Sequence, residues 1–339
     1  MMRIGILTAG GDCPGINAAI RGVGKTAIVE YGMEVYGISN GFTGLITNEV
    51  EHMNEKQLSG ILTHGGTILG TSRMKPFKHQ EGDIVENKPQ VIKENYEELG
   101  LDALVCIGGN GTQKTASLLA KEGLNVVGIP KTIDNDVWGT DITFGFDSAV
   151  WIATEAIDRL HTTANSHKRV MVIELMGHSA GWISLYSGIA SGGDVILLPE
   201  IEYDMDVVSE VLLERHQVGK PYSIVVVAEG IKTKKKNAGT EIAHKINKRT
   251  GLETRETILG YIQRGGSPSP FDRILATNYG SHAAELISKK QFGRMVSIRN
   301  NVTTSIPLDE VEGKLKLVEP DNELIERGRR MGVSFGDKR

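Results

Sequence analysis

The chain predicts an α/β fold of mostly parallel sheet with helices on both faces. Three observations carry this expectation. Short apolar runs alternate with helical patterns over most of the 339 residues, as strand–helix–strand crossovers require. Glycine-rich polar turns follow most of the apolar runs. They would therefore gather along the carboxyl edges of the sheets, where open parallel sheets take their ligands. The length suits about two domains of ordinary size.

Taken in order, 3–9 reads as the first strand and ends at Gly10-Gly11-Asp12-Cys13-Pro14-Gly15. Residues 17–30 have helical spacing, 33–39 form a strand, 41–44 a turn and 57–62 a short helix. The loop His64–Arg73 precedes an amphipathic helix over 89–99. Residues 103–107 form an apolar strand that meets Gly108-Gly109-Asn110-Gly111-Thr112 and a helix carrying Ala116, Leu118, Leu119 and Ala120. A strand over 125–129 leads into Pro130-Lys131-Thr132-Ile133-Asp134-Asn135-Asp136. The second half repeats the alternation. Helices are expected over 148–164, 207–217, 241–248 and 274–288, with one beginning after Met176–Gly181. Strands are expected over 170–175, 194–198, 223–228 and 253–259, and 294–298 is taken as the last. The tail from Asp309 is charged and poorly patterned.

Composition narrows the function classes. Hydrophobic content of 40%, charged content of 24% and a net charge of −4 describe a soluble globular protein with no nucleic-acid signature. The basic run Lys232–Lys236 reads as a solvated loop. No stretch approaches the ~18 uninterrupted apolar residues of a membrane span, and no secretion signal is read at the N-terminus. Two cysteines cannot make a disulfide scaffold, which fits a reduced, cytoplasmic chain.

Two familiar nucleotide motifs fail. Gly24-Lys25-Thr26 would end a P-loop, but the required first glycine is Ala19. Gly109-Asn110-Gly111 lacks the third glycine of a dinucleotide fingerprint, because position 114 is Lys114. What remains is a glycine turn that can offer backbone N–H groups and a helix N-terminus to an anion, beside a loop with two carboxylates. That pairing points to phosphoryl transfer. One Asp can accept the proton of an attacking hydroxyl, and a second can hold Mg²⁺ through water. Arg73, Arg169, Arg255 and Arg264 each read as ending or following a strand or glycine turn, where an Arg fork suits phosphate oxygens. Glu229, at a strand end, can accept from a sugar hydroxyl.

GGDCPGINAAIRG, GGTILGTSR, GGNGT, PKTIDND, MGHSAGW, ETR and GYIQRGGSP together resemble the 6-phosphofructokinases, in order and spacing, over roughly residues 2–300. The resemblance implies two Rossmann-like three-layer α/β/α domains with an active-site cleft between them. The phosphoryl-donor domain would be 1–145 plus about 263–308, and the sugar-phosphate domain 146–262 plus about 309–339. The implied reaction carries a phosphoryl group from ATP to the 1-hydroxyl of fructose 6-phosphate, with Mg²⁺ as cofactor. Asp134 would be the base, with Thr132 and Ile133 beside it on the substrate. Gly11, Arg73, Met74, Gly109, Asn110, Gly111 and Thr112 would hold the nucleotide, and Asn110 and Asp136 would lie near the metal. Met176, Gly177, His178 and Glu229 would hold the sugar; Tyr261 and Arg264 would take its 6-phosphate. Arg169 and Arg255 would reach that phosphate from a neighbouring subunit, so a homodimer or homotetramer with shared sites is implied, with no nucleic-acid or membrane partner.

The departures from the family pattern are specific. Asn110 replaces a metal-associated Asp of the bacterial allosteric type, His178 an Arg, Tyr261 a His and Lys131 a Gly. Lysine at 131 is the pattern of the pyrophosphate-using branch, where its ammonium would meet the donor phosphate. That branch carries Asp where this chain has Gly111. A carboxylate there would crowd and repel the α-phosphate of a nucleotide, so Gly111 favours ATP. A pyrophosphate-dependent enzyme and a non-catalytic sugar-phosphate-binding subunit are the alternatives. In the allosteric pocket of the bacterial type, Arg21 and Lys25 keep basic character. His161, Asp194 and Pro221 replace Arg, Glu and Lys, so a weak response to ADP and phosphoenolpyruvate is expected.

Overall fold

The computed structural model describes residues 1–78, 87–234 and 237–338. Lys235 and Lys236 of the basic run lie outside them. The chain divides into two compact units. The first holds Met1–Thr132, Val137–Asp147 and Arg264–Leu315; the second holds Ile133–Asp136, Ser148–Gln263 and Lys316–Arg339.

The chain opens with β1 (Arg3–Ala9), α1 (Ile16–Val29), β2 (Glu34–Ile38), α2 (Phe42–Thr47), β3 (Val50–Met53), α3 (Lys88–Glu98), β4 (Ala103–Gly108), α4 (Asn110–Lys121) and β5 (Val126–Pro130). It continues through α5 (Phe146–His167), β6 (Val170–Leu175), α6 (Trp182–Ala190), β7 (Val195–Leu197), α7 (Met205–Gln217), β8 (Ser223–Ala228), α8 (Ala238–Thr250) and β9 (Thr254–Ile258). It closes with α9 (Pro270–Ser288), β10 (Arg294–Arg299), β11 (Val302–Pro307), α10 (Leu308–Val311) and α11 (Glu323–Arg330).

In the first unit, seven strands run in the order β11-β10-β5-β4-β1-β2-β3. The five inner strands are parallel, and the outermost two, β3 and β11, are antiparallel to their neighbours. Every residue of β4 is buried, as expected of a parallel strand covered on both faces. α1 lies against α9 at close range: a Cβ on Gly22 would fall 2.7 Å from the Thr277 carbonyl oxygen. The second unit is a four-stranded parallel sheet, β7-β8-β6-β9. Its core joins Val172, Val225, Val227, Leu212 and Ile242.

The α/β architecture agrees with the sequence, and three local expectations need correction. The turn expected at Gly41–Gly44 is the start of α2, because Phe42 and Leu45 turn inward to the core. The helix expected over 57–62 is mostly turn, with a single 3-10 turn at Ile61–Thr63. The strand at 294 is followed by a hairpin partner, β11, and the tail carries α10 and α11.

Candidate active site

In the first unit, β1 connects to β2 on one side, and the chain later returns to place β4 on the other. The order therefore reverses between β1 and β4, and the carboxyl ends of those two strands are where such sheets bind ligands. Both glycine turns stand there. Gly10 follows β1 with φ +88, a backbone conformation that favours glycine. Gly109 precedes α4, which has no side-chain cap and no acidic residue in its first turn. Thr112 N–H donates to the Gly109 carbonyl at 2.9 Å, and the positive end of the helix dipole faces the turn. Thr112 Oγ1 donates to the Ala9 carbonyl at 3.3 Å and joins the two turns. Gln113, fully buried, donates to the carbonyls of Gly108 at 2.8 Å and Ile129 at 2.9 Å, fixing the base of the turn. At Gly111 a Cβ would meet nothing within 4 Å.

The surrounding residues are held by backbone. Gly10 N–H donates to the Ser72 carbonyl at 2.9 Å, and Thr71 Oγ1 donates to the Gly10 carbonyl at 2.7 Å. These bonds seat Arg73 beside the first turn with its side chain exposed, and Met74 packs against the core. Lys131 is 2% exposed, and its ammonium donates to the Gly11 carbonyl. A Cβ on Gly11 would fall 2.5 Å from Arg264 Nη1, so the missing side chain is what lets that guanidinium sit on the turn. Thr132 accepts at its carbonyl from Thr143 Oγ1 at 2.8 Å. Cys13, next to the turn, is buried and free, and burial pushes its thiol well above the ordinary range.

In the second unit, the carboxyl edge of the sheet gathers the other motifs. Asn135 lies between Asp134 and Asp136 with φ +51 and only 4% exposure, and Asp136 is buried. Glu229 follows β8, and its Oε1 accepts from Gly177 N–H at 3.2 Å and His178 N–H at 2.8 Å. The carboxylate therefore shapes the loop Met176–His178 that follows β6. Gly177 must lack a Cβ, which would strike the Ala180 carbonyl. Tyr261 follows β9 on the same edge and is 72% exposed.

Arg169 and Arg255 do not share that edge, which corrects the expectation that they follow strands. Arg169 precedes β6, and Arg255 is the second residue of β9, paired with Met171. They stand at the amino edge, about 20 Å along the strands from Met176 at 3.3 Å per residue. Both donate to Glu253 Oε1 at 2.9 Å, and the Arg169 bond holds that exposed carboxyl below its ordinary range.

Three further residues of this unit escape sequence reading. Lys316 donates to Asn135 Oδ1 at 2.9 Å. Glu200 accepts from Gly181 N–H at 2.8 Å and Val318 N–H at 3.0 Å. Glu174 accepts from Gly239 N–H at 2.7 Å, and burial raises its carboxyl above the ordinary range. None of these long-range contacts leaves a local spacing signal. Of the residues compared with an allosteric pocket, His161 is engaged by Tyr222 at 3.0 Å and the Ser191 carbonyl at 2.7 Å. Asp194 pairs with Arg215 at 2.7 Å and accepts from Ile224 N–H at 2.9 Å.

Among the described residues there is no group of three or more His, Cys, Asp or Glu that could hold a metal ion by itself. Among them, too, no helix is long and apolar enough to cross a membrane.

Glycine turns at a switch point, with basic side chains around them and a two-carboxylate loop after β5, define a doubly wound α/β protein built to handle phosphates. A family model described as Phosphofructokinase matches residues 3–287. The chain belongs to the phosphofructokinase family. It is 64% identical to ATP-dependent 6-phosphofructokinase 3 of Bacteroides thetaiotaomicron, covering 99% of this chain and 100% of that one. It is 56% identical to ATP-dependent 6-phosphofructokinase of Spirochaeta thermophila, covering 98% and 97%. The phosphofructokinase structure from Saccharomyces cerevisiae superposes with a TM-score of 0.84 at 32% identity, over 92% of this chain and 45% of that one. The chain thus spans the bacterial relatives and less than half of the yeast chain.

Proposed function

We propose that this chain transfers the γ-phosphoryl group of ATP to the 1-hydroxyl of fructose 6-phosphate, giving fructose 1,6-bisphosphate and ADP. The observation that carries the reading is near full-length identity to bacterial ATP-dependent 6-phosphofructokinases in a chain that keeps Asp134, Asp136, Thr132 and Arg73. Asp134 accepts the proton as the hydroxyl oxygen attacks phosphorus, and ADP departs as the leaving group. Thr132 and Ile133 line the sugar beside it. Gly11, Arg73, Met74 and Gly109–Thr112 seat the nucleotide phosphates, so 1–145 with about 263–308 acts as the donor-binding part. Met176, Gly177, His178 and Glu229 hold the hexose, and Tyr261 and Arg264 take its 6-phosphate.

Oxygen donors few in number suit Mg²⁺, which keeps several waters and binds mainly through substrate phosphates. Asn110 and Asp136 would hold it, and when bound it neutralises charge on the transferring phosphates. ATP is favoured over pyrophosphate by the open space at Gly111, which an aspartate would fill with negative charge. Lys131 meanwhile is occupied with the Gly11 carbonyl.

The amino-edge position of Arg169 and Arg255 supports an assembly in which a neighbouring subunit supplies them, as a homodimer or homotetramer. His161 and Asp194 are committed to internal partners, so ADP and phosphoenolpyruvate act weakly. The protein works in the cytoplasm. The test is purified protein with fructose 6-phosphate and Mg²⁺, given ATP or pyrophosphate. Faster turnover with ATP is expected; faster turnover with pyrophosphate overturns the donor, and none with either overturns the enzyme.

A further inference from the structure

The segment before α11 runs along the loop that carries Asp134. Leu315 bridges Val137 in antiparallel fashion. Lys316 N–H donates to the Asp136 carbonyl at 2.9 Å, and the Lys316 ammonium donates to Asn135 Oδ1, also at 2.9 Å. On its other side, the Lys316 carbonyl accepts from Trp182 Nε1–H at 2.9 Å. The ammonium stands 5.5 Å from the centroid of that indole ring. Two residues on, Val318 N–H donates to Glu200 Oε1, which also takes the N–H of Gly181. One short stretch thus ties residues 133–136 to the start of α6, and through it to the loop after β6.

Asn135 gives this tie its meaning. It is a buried polar residue in the left-handed region, which asparagine enters more readily than other non-glycine residues and whose amide here needs a partner. The Lys316 ammonium is a partner of that amide. Because Asn135 separates Asp134 from Asp136, its backbone angles set the relative direction of the chain at those two residues.

We propose that Lys316 is a positioning residue for the phosphoryl transfer. It acts through Asn135 to fix the orientation of Asp134 and Asp136, with Trp182 and Glu200 anchoring the segment from behind. This deepens the phosphofructokinase reading and rests on it for its catalytic consequence.

The experiment compares Lys316→Met, Lys316→Arg, Asn135→Gly and the Lys316→Met/Asn135→Gly double variant in full-length protein. Asn135→Gly keeps the left-handed backbone accessible while removing the acceptor. Lys316→Met is expected to lower kcat about 10–100-fold, the scale of losing a hydrogen bond to a charged group. KM for fructose 6-phosphate and for ATP should move by less than about threefold. Lys316→Arg should restore part of the loss, and the double variant should be no slower than Lys316→Met, because the two residues act as one unit.

Hydrogen exchange gives a second readout that needs no turnover. Backbone amides over 134–137 should exchange faster in Lys316→Met, with the strands of both sheets unchanged. A Lys316→Met enzyme within about twofold of wild type, strictly additive effects, or unchanged exchange over 134–137 would each overturn the proposal. A wild type with no turnover would instead remove the functional reading, and the exchange comparison would still decide the tie.

Discussion

The loops of the two units reach the same end, a fixed backbone at the strand ends, by opposite means. In the first unit the turns are shaped by side chains that are missing. Gly10 takes a left-handed backbone, Gly11 makes room for Arg264, and Gly111 leaves open space in the first turn of α4. In the second unit the loops are shaped by carboxylates that consume N–H groups. Glu229 takes those of Gly177 and His178, Glu200 takes that of Gly181, and Glu174 takes that of Gly239. The positive end of a helix suits phosphate; a loop whose donors are engaged by carboxylates offers lone pairs and carbonyls to hydroxyls. The proposed division of the two substrates between the units follows this contrast.

The largest test of that division lies in the loop proposed to carry the base. Asp134→Asn should lower kcat about 10²–10⁴-fold with KM for fructose 6-phosphate largely kept, as removal of a general base does. Steady-state kinetics checks this, and an unchanged kcat would move the base elsewhere. Next, Gly111→Asp puts a carboxylate where the first unit leaves space. It should cut kcat/KM for ATP about 10²-fold by like-charge repulsion while leaving fructose 6-phosphate binding intact.

Arg255→Ala probes the amino edge of the second sheet. It should raise KM for fructose 6-phosphate about 10–100-fold without changing KM for ATP. If the arginine serves a neighbour's site, mixing Arg255→Ala subunits with inactive Asp134→Asn subunits should recover activity. Mixtures no more active than their parts would place each site within one chain.

The smallest effect sharpens the carboxylate half of the comparison. The folded-state pKa of Glu174 is raised, chiefly by burial. Its contribution to stability is therefore whole below the unfolded value and is lost as pH rises through the folded one. Glu174→Gln removes that titration and keeps an acceptor for Gly239. Its Tm relative to wild type should rise by about 2 °C between pH 4 and pH 7, followed by thermal denaturation. A difference flat with pH would mean Glu174 does not titrate in this range.

Most of the fold was legible because buried parallel strands are continuous apolar runs; β1, β6 and β8 begin and end where the pattern puts them. The edge strands were not. Val50–Met53 and Val302–Pro307 are half-exposed and polar in places, so their pairing is decided by neighbours distant in sequence. Phe42–Thr47 was hidden by flanking glycines that usually mark turns. At the site, the glycine turns and Thr132–Asp136 announce themselves by composition. The apolar runs over 170–175 and 253–259 already put Arg169 and Arg255 at the amino ends of their strands, so reading them as ending or following a strand conflicts with those bounds. Lys316 was unreadable, because its partner Asn135 is 181 positions away.

The most direct test is a crystal structure with fructose 6-phosphate and a non-hydrolysable ATP analogue. An Asp134 carboxylate oxygen is expected within about 3 Å of the sugar 1-hydroxyl, with the analogue's phosphates on the N–H groups after Gly109. A carboxylate turned away from the hexose and out of proton-transfer reach would contradict it.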